Sequence, residues 1–159
     1  QQVHLGKRII ITRGTSVHGE RVEKMNIALL SHDSKRELMV QFCIAYKGIL
    51  AKHSICATNT TGRLVMEATG LPVTLYLSCA QGGNQQIQAK IAYDELDMVI
   101  FMADPLLNDA ERIKEVSDIR RECDKYTIPF ASNIATAELL IMGLDRGDLA
   151  WREVLRMRG

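Results

Sequence analysis

The chain has 159 residues, enough for one domain with a substantial core, and its 47% apolar and 25% charged residues are the balance of an ordinary globular protein. A formal net charge of +1 supplies no global field for nucleic acid or a membrane surface. No apolar run approaches the roughly 18 residues that cross a bilayer, and Ile9–Ile11 is too short for the core of a signal peptide.

In chain order, residues 1–24 hold no long helical pattern. Lys7–Thr12 reads as a short strand and Arg13–Gly19 as turn. This arm is open to three readings: an extra edge strand, an expression remnant, or sequence upstream of the domain proper. The compact domain is expected over residues 25–159. Asn26–Ser31 is a buried-strand run, followed by a helix to Tyr46 that Asp33 or Ser34 is placed to cap. Ile55–Ala57 is a short strand leading into the loop Thr58–Gly62. A helix then starts near Arg63 and stops at Gly70. Val73–Leu77 reads as a strand, Gln85–Asp94 as a helix, Met98–Met102 as a fully apolar strand and Asn108–Lys125 as a charged helix. Phe130–Asn133 closes the strands, and Ala135–Met142 is the last long helix. Strands alternating with helices predict an α/β fold: a parallel sheet of five strands with helices on both faces. The strand runs lack polar alternation, as both-face burial requires.

Cys43, Cys56, Cys79 and Cys123 form no CxxC pair, and no histidine stands at finger spacing. They read as reduced thiols of a cytoplasmic protein, with a disulfide framework as the alternative. Cys43 and Cys56 fall in apolar patterns, whereas Cys79 lies in a loop beside the candidate site.

Ligands of parallel sheets bind beyond the carboxyl ends of the strands. The polar residues that follow the strands are His32 and Asp33, Thr58–Thr61, Ser78 and Asn84, Asp104, and Ser132 with Asn133, so one rim should collect them. Thr58, Thr60 and Thr61 put three hydroxyls within four residues at a helix start, and hydroxyls with free helix amides can cradle a phosphate dianion. Lys35 or Arg36 would supply counter-charge. Simple helix capping by Thr60 or Thr61 is the plainer account. Gly82 and Gly83 let backbone approach a ligand or merely form a tight turn. Gln85 and Gln86 either donate to a ligand oxygen or begin a helix. His32 is either a ligand contact or an ordinary polar loop residue. Asp104, held extended before Pro105, points into the rim or is an ordinary loop carboxylate.

The sequence Asn26–Ala28 with His32-Asp33, Ala57-Thr58-x-Thr60-Thr61-Gly62, Ala68-Thr69-Gly70-Leu71, Gly82-Gly83-x-Gln85-Gln86, Asp104-Pro105-Leu106, Ile128-Pro129 and Asn133-x-Ala135-Thr136-Ala137-Glu138 resembles methylglyoxal synthases, collinearly from Met25 to about Arg152. The resemblance implies a doubly wound five-stranded fold, a homohexamer without metal or organic cofactor, and elimination of phosphate from dihydroxyacetone phosphate to give methylglyoxal. It further implies inhibition by inorganic phosphate, and neither nucleic acid nor membrane as partner. By the same resemblance His32 and Asp33 belong to the first loop, and Arg36 stands at a phosphate-binding lysine position with Lys35 beside it. Thr58, Thr60, Thr61, Gly62, Ser78 and Gly83 belong to the phosphate site, Asp104 is the Asp-Pro carboxylate, and Arg152 corresponds to an arginine reaching a neighbouring subunit's site. The chain departs from the pattern where the chemistry is most demanding. Asn84 replaces the carboxylate that acts as base. Leu107–Val116 lacks the His-x-Pro-Asp group, leaving Arg112 and Glu115 as nearest counterparts. Asn59 replaces a glycine, and Cys79-Ala80 replaces Gly-Pro. Two readings follow: a synthase whose turnover is impaired, or a phosphate-ligand-binding regulatory module.

Overall fold

A computed structural model of the chain describes residues 2–5, 8–11, 24–78 and 81–152. The strands β1 (Gln2–Leu5) and β2 (Arg8–Ile11) pair antiparallel with each other, so the expected strand in the arm has a partner within the arm. The other five strands form one all-parallel sheet in the order β5-β4-β3-β6-β7. They are β3 (Asn26–Ser31), β4 (Ser54–Thr58), β5 (Val73–Tyr76), β6 (Met98–Met102) and β7 (Phe130–Ala131). The central strands β3 and β6 are almost wholly buried, which is why their sequences run apolar without alternation.

Side chains alternate across the sheet and feed two cores. Ile27, Leu29, Met98 and Ile100 pack with Met39, Phe42, Val65, Ala137 and Ile141. Those partners lie on α1 (Arg36–Ala45), α3 (Asn59–Thr69) and α6 (Ile134–Asp145), which share one face with the short α2 (Lys47–Leu50) between α1 and β4. Ala28, Leu30, Val99 and Phe101 pack with Ile87, Ile91, Ile119 and Cys123 on the other face, from α4 (Gly83–Ala92) and α5 (Ala110–Lys125). Cys43, Cys56 and Cys123 are free and buried, and burial pushes their thiols up to about 12, 11 and 12 respectively. They are core residues without thiolate character. Cys79 lies outside the described residues. Among the described residues no helix is long and apolar enough to cross a membrane.

Two local expectations are corrected. Neither Asp33 nor Ser34 caps the first helix: Asp33–Lys35 is a 3-10 turn before α1, and no side chain caps either segment. The helix after β4 begins at Asn59 rather than near Arg63, because the strand passes straight into it with Thr58 as the N-cap residue. Its end is as expected, with Gly70 in the left-handed region at φ 74°.

His53, just before β4, couples the sheet's lower edge to pH. Its buried Nδ1 accepts the Met25 amide at 3.0 Å, and its Nε2 has no partner among the described residues. Burial holds its pKa below the ordinary 6.5, against the opposing pull of Asp145. A depressed folded value means that the unfolded chain binds the proton more readily. The stability from neutral His53 is therefore complete above 6.5 and is lost as pH falls through 6.5 toward the folded value. The melting temperature should fall over that acid limb, and His53→Gln, which keeps an acceptor but cannot titrate there, should flatten it. An unchanged slope in the variant would remove His53 as the cause.

Candidate functional site

The strand order reverses at β3, with β4 and β5 on one side and β6 and β7 on the other. That is the position at which open parallel sheets form a ligand crevice. A cleft of about 580 Å³ lies there. Its walls include His32 and Asp33 from the end of β3, Arg36 from α1, Thr58, Thr60 and Thr61 from the β4–α3 junction, Ser78 after β5, and Asp104 after β6. One rim thus collects eight of the residues picked out from the sequence.

The threonines do not serve as caps. Thr58 makes no side-chain capping bond, and Thr60 and Thr61 lie inside the first turn of α3. The amides of Asn59, Thr60 and Thr61 are those that a helix leaves without internal partners, and the positive end of the helix dipole lies among them. Thr61 is fixed by a 3.0 Å hydroxyl–hydroxyl bond to Ser31, itself a cleft residue. Asn59 accepts from Arg63 Nε at 2.8 Å and does not line the cleft.

Arg36 is the cation of this wall. Its guanidinium donates to Asp33 at 2.6 Å, while its buried Nε has no partner among the described residues. The Asp33 side chain is 93% exposed, so this pair is weak and an incoming anion can displace it. Lys35, the alternative counter-charge, does not line the cleft.

His32 and Asp104 are latched together across β3 and β6. The Asp104 amide donates to His32 Nδ1 at 2.8 Å, so the neutral ring carries its proton on Nε2. That Nε2 is buried and has no partner among the described residues, in a residue only 6% exposed that lines the cleft. Phe101 holds the ring edge-on with centroids 5.0 Å apart. The Asp104 carboxylate accepts from Ser34 Oγ at 2.7 Å and from the Leu106 amide at 2.9 Å. These two bonds, the Ser34 bond foremost, hold its carboxyl below the usual range. Asp104 is thus ionised and poorly basic.

Other expected site residues are placed elsewhere. Asn84 is 3% exposed, does not line the cleft, and has no partner among the described residues for either amide atom. Its neighbour Gly83 donates its amide to the Ser78 carbonyl at 2.9 Å, so that amide is not aimed at an anion. A Cβ on Gly83 would collide with the Leu77 carbonyl, and one on Gly62 with the Leu75 side chain. Both glycines serve close packing, of α4 on the β5 loop and of α3 on the sheet, and neither lines the cleft. Gln86 likewise holds the loop, accepting the Leu77 amide at 2.8 Å. Asn133 caps α6 by accepting the Thr136 amide, and it does not line the cleft, nor does Ser132. Arg152 does not line this chain's cleft. It is 4% exposed at the opposite end of the sheet, bound to Asp97 and Asp94 and to the carbonyls of Leu96 and Thr127.

Residues of α5 complete the cleft. Asp109 caps the helix by accepting the Glu111 and Arg112 amides, and Arg112 pairs with Glu115 at 3.2 Å. All three line the cleft with Leu107. Arg112 and Glu115 were marked by position only; Asp109 and Ser34 were missed as site residues. A cap signal existed for Asp109, but the Ser34 contact with Asp104 spans 70 positions and leaves no local trace.

A family model described as an MGS-like domain matches residues 38–132. A methylglyoxal synthase of Caldicellulosiruptor saccharolyticus is 59% identical over 131 residues, spanning 82% of this chain and 92% of that protein. One from Geobacillus thermodenitrificans is 50% identical over 134 residues, spanning 84% and 92%. The crystal structure of a methylglyoxal synthase from Elizabethkingia anophelis superposes with a TM-score of 0.65 at 33% identity, covering 74% of this chain and 77% of that one. With the five-stranded parallel sheet and its cleft at the strand-order reversal, these similarities establish that the chain belongs to the methylglyoxal synthase family.

Proposed function

We propose that the cleft binds the phosphate of dihydroxyacetone phosphate, or inorganic phosphate, and that conversion to methylglyoxal is slow because position 84 carries an amide. The observation that carries the binding half is the convergence of Thr58, Thr60, Thr61, Ser78 and Arg36 on one wall beside the free amides of α3. The reaction requires a base to take a proton from the hydroxymethyl carbon beside the ketone. Donors then hold the enediolate oxygen, and the carbon–oxygen bond to phosphate breaks as the electron pair returns. The resulting enol tautomerises to methylglyoxal. His32 Nε2–H is suited to the enediolate oxygen and Arg36 Nε–H to the departing phosphate. An asparagine accepts no proton at neutral pH. Asp104 has its basicity lowered by Ser34 and the Leu106 amide, which makes it a weak substitute. The same amide favours the second reading, a binding module that keeps the anion site and has lost turnover.

Phosphate should stabilise the folded chain, since a ligand bound only by the native state adds RT ln(1 + [L]/Kd), about 2.7 kcal/mol at a hundredfold excess over Kd. The melting temperature should rise with phosphate in the wild type, and Arg36→Ala should abolish most of that rise. An absence of shift at millimolar phosphate would overturn the binding site.

A further inference from the structure

Resting on that phosphate site, we propose that Ser31 is a positioning residue for the bound anion. It donates to Thr61, and so keeps that side chain turned to the cleft with its own hydroxyl proton free for a phosphate oxygen. The first ground is the strand. Ile27, Ala28, Leu29 and Leu30 make β3 an apolar buried run, and Ser31 ends it at 6% exposure. A hydroxyl so placed costs free energy unless it is hydrogen-bonded. Ser31 shares a strand face with Ile27 and Leu29, which pack with Val65 of α3. Its hydroxyl is therefore on the side of that helix, one turn before Val65, and meets the Thr61 hydroxyl at 3.0 Å. Thr61 is itself 1% exposed.

The second ground is what a threonine of this helix does without such a partner. A helical threonine divides between two rotamers because its hydroxyl can donate to a carbonyl three or four residues back. Thr69, at the far end of α3, does so: its Oγ1 donates to the Val65 carbonyl at 2.6 Å. The same bond from Thr61 would spend its proton on the Thr58 carbonyl, three residues back, and take it from the cleft. Thr61 is bonded to Ser31 instead. Either hydroxyl can supply the proton of that bond. A phosphate dianion offers only acceptors, so its arrival selects one order, Ser31 donating to Thr61 and Thr61 to phosphate. Donation into Thr61 polarises its O–H and strengthens the charge-assisted bond to the anion. Both residues line the cleft, beside the helix amides that already favour an anion.

The test is a double-mutant cycle on the affinity for inorganic phosphate. Calorimetric titration is run on the wild type, Ser31→Ala, Thr61→Val and the double variant, together with the phosphate-free melting temperature of each. Ser31→Ala should weaken phosphate binding about three- to tenfold, the worth of one hydrogen bond. Thr61→Val should weaken it at least as much. The double variant should match Thr61→Val within about twofold, because Ser31 acts only through the Thr61 hydroxyl. Losses that add in the double variant would overturn the inference, since Ser31 would then touch the anion by itself. So would an unchanged phosphate affinity in Ser31→Ala, and a fall in melting temperature alone would mark a residue that only packs. Both results leave the phosphate site standing. Failure of the wild type to bind phosphate would overturn the site and this inference together.

Discussion

Asn84→Asp should raise the rate of methylglyoxal release from dihydroxyacetone phosphate by about 10² to 10⁴, the range that one general base contributes. Residue 84 does not itself line the cleft, but it adjoins the cleft residue Ser78 through Gly83, and its surroundings suit a base. Residue 84 is the second residue of α4, where the helix dipole and unpaired amides favour a carboxylate. It follows Gly83, whose amide is bonded to the carbonyl of the cleft residue Ser78. It is 3% exposed, and burial raises a carboxyl's pKa, which makes the ionised form a better proton acceptor. The two effects oppose each other in ionisation, so the new carboxylate should titrate within the working range of the assay and give the variant a pH–rate limb that the wild type lacks. The gain should stop short of a full complement of catalytic groups, since Arg112 and Glu115 occupy the stretch where the resemblance expects a histidine. The measurement is product release under saturating substrate in both proteins. Wild-type turnover equal to that of the variant would show that another group takes the proton and would refute the argument from Asn84.

The strands were legible because burial on both faces leaves a simple mark: Met98–Met102 is five apolar residues in a row, and the structure returns the same bounds. Helix starts were less legible. The hydroxyl- and amide-rich run Thr58–Gly62 reads as a loop, yet β4 runs into α3 without one and tertiary placement overrides propensity. The cleft was legible as a set of strand ends, which topology alone brings together. Which neighbours face it was not. Gly62 and Gly83 carry the same one-letter signal whether they admit a ligand or a packed neighbour, and only the collision of a built Cβ with Leu75 or Leu77 distinguishes the two. Ser34 carried a cap signature and spends its hydroxyl on Asp104 instead, a partner fixed by the pairing of β3 with β6.

Arg152→Ala should lower stability by about 3–5 kcal/mol, the range for breaking a buried ion pair from one side. Asp97 is 0% exposed and also accepts the Asn26 amide at 2.8 Å, so it ties the entry of β3 to that of β6. Removing the guanidinium leaves that carboxylate in a low-dielectric setting and strips a donor from the Leu96 and Thr127 carbonyls. For a chain of this length the melting temperature should fall on the order of 10 °C. Phosphate affinity should hold, because the arginine sits at the end of the sheet remote from Thr58 and Arg36. An arginine serving a neighbouring subunit's site would give the reverse pattern, with ligand affinity lost and the melting temperature kept. Calorimetric melting and phosphate titration of the one variant therefore decide between an anchor beneath the sheet and a ligand contact, and the contacts with Asp97, Asp94 and two carbonyls favour the anchor.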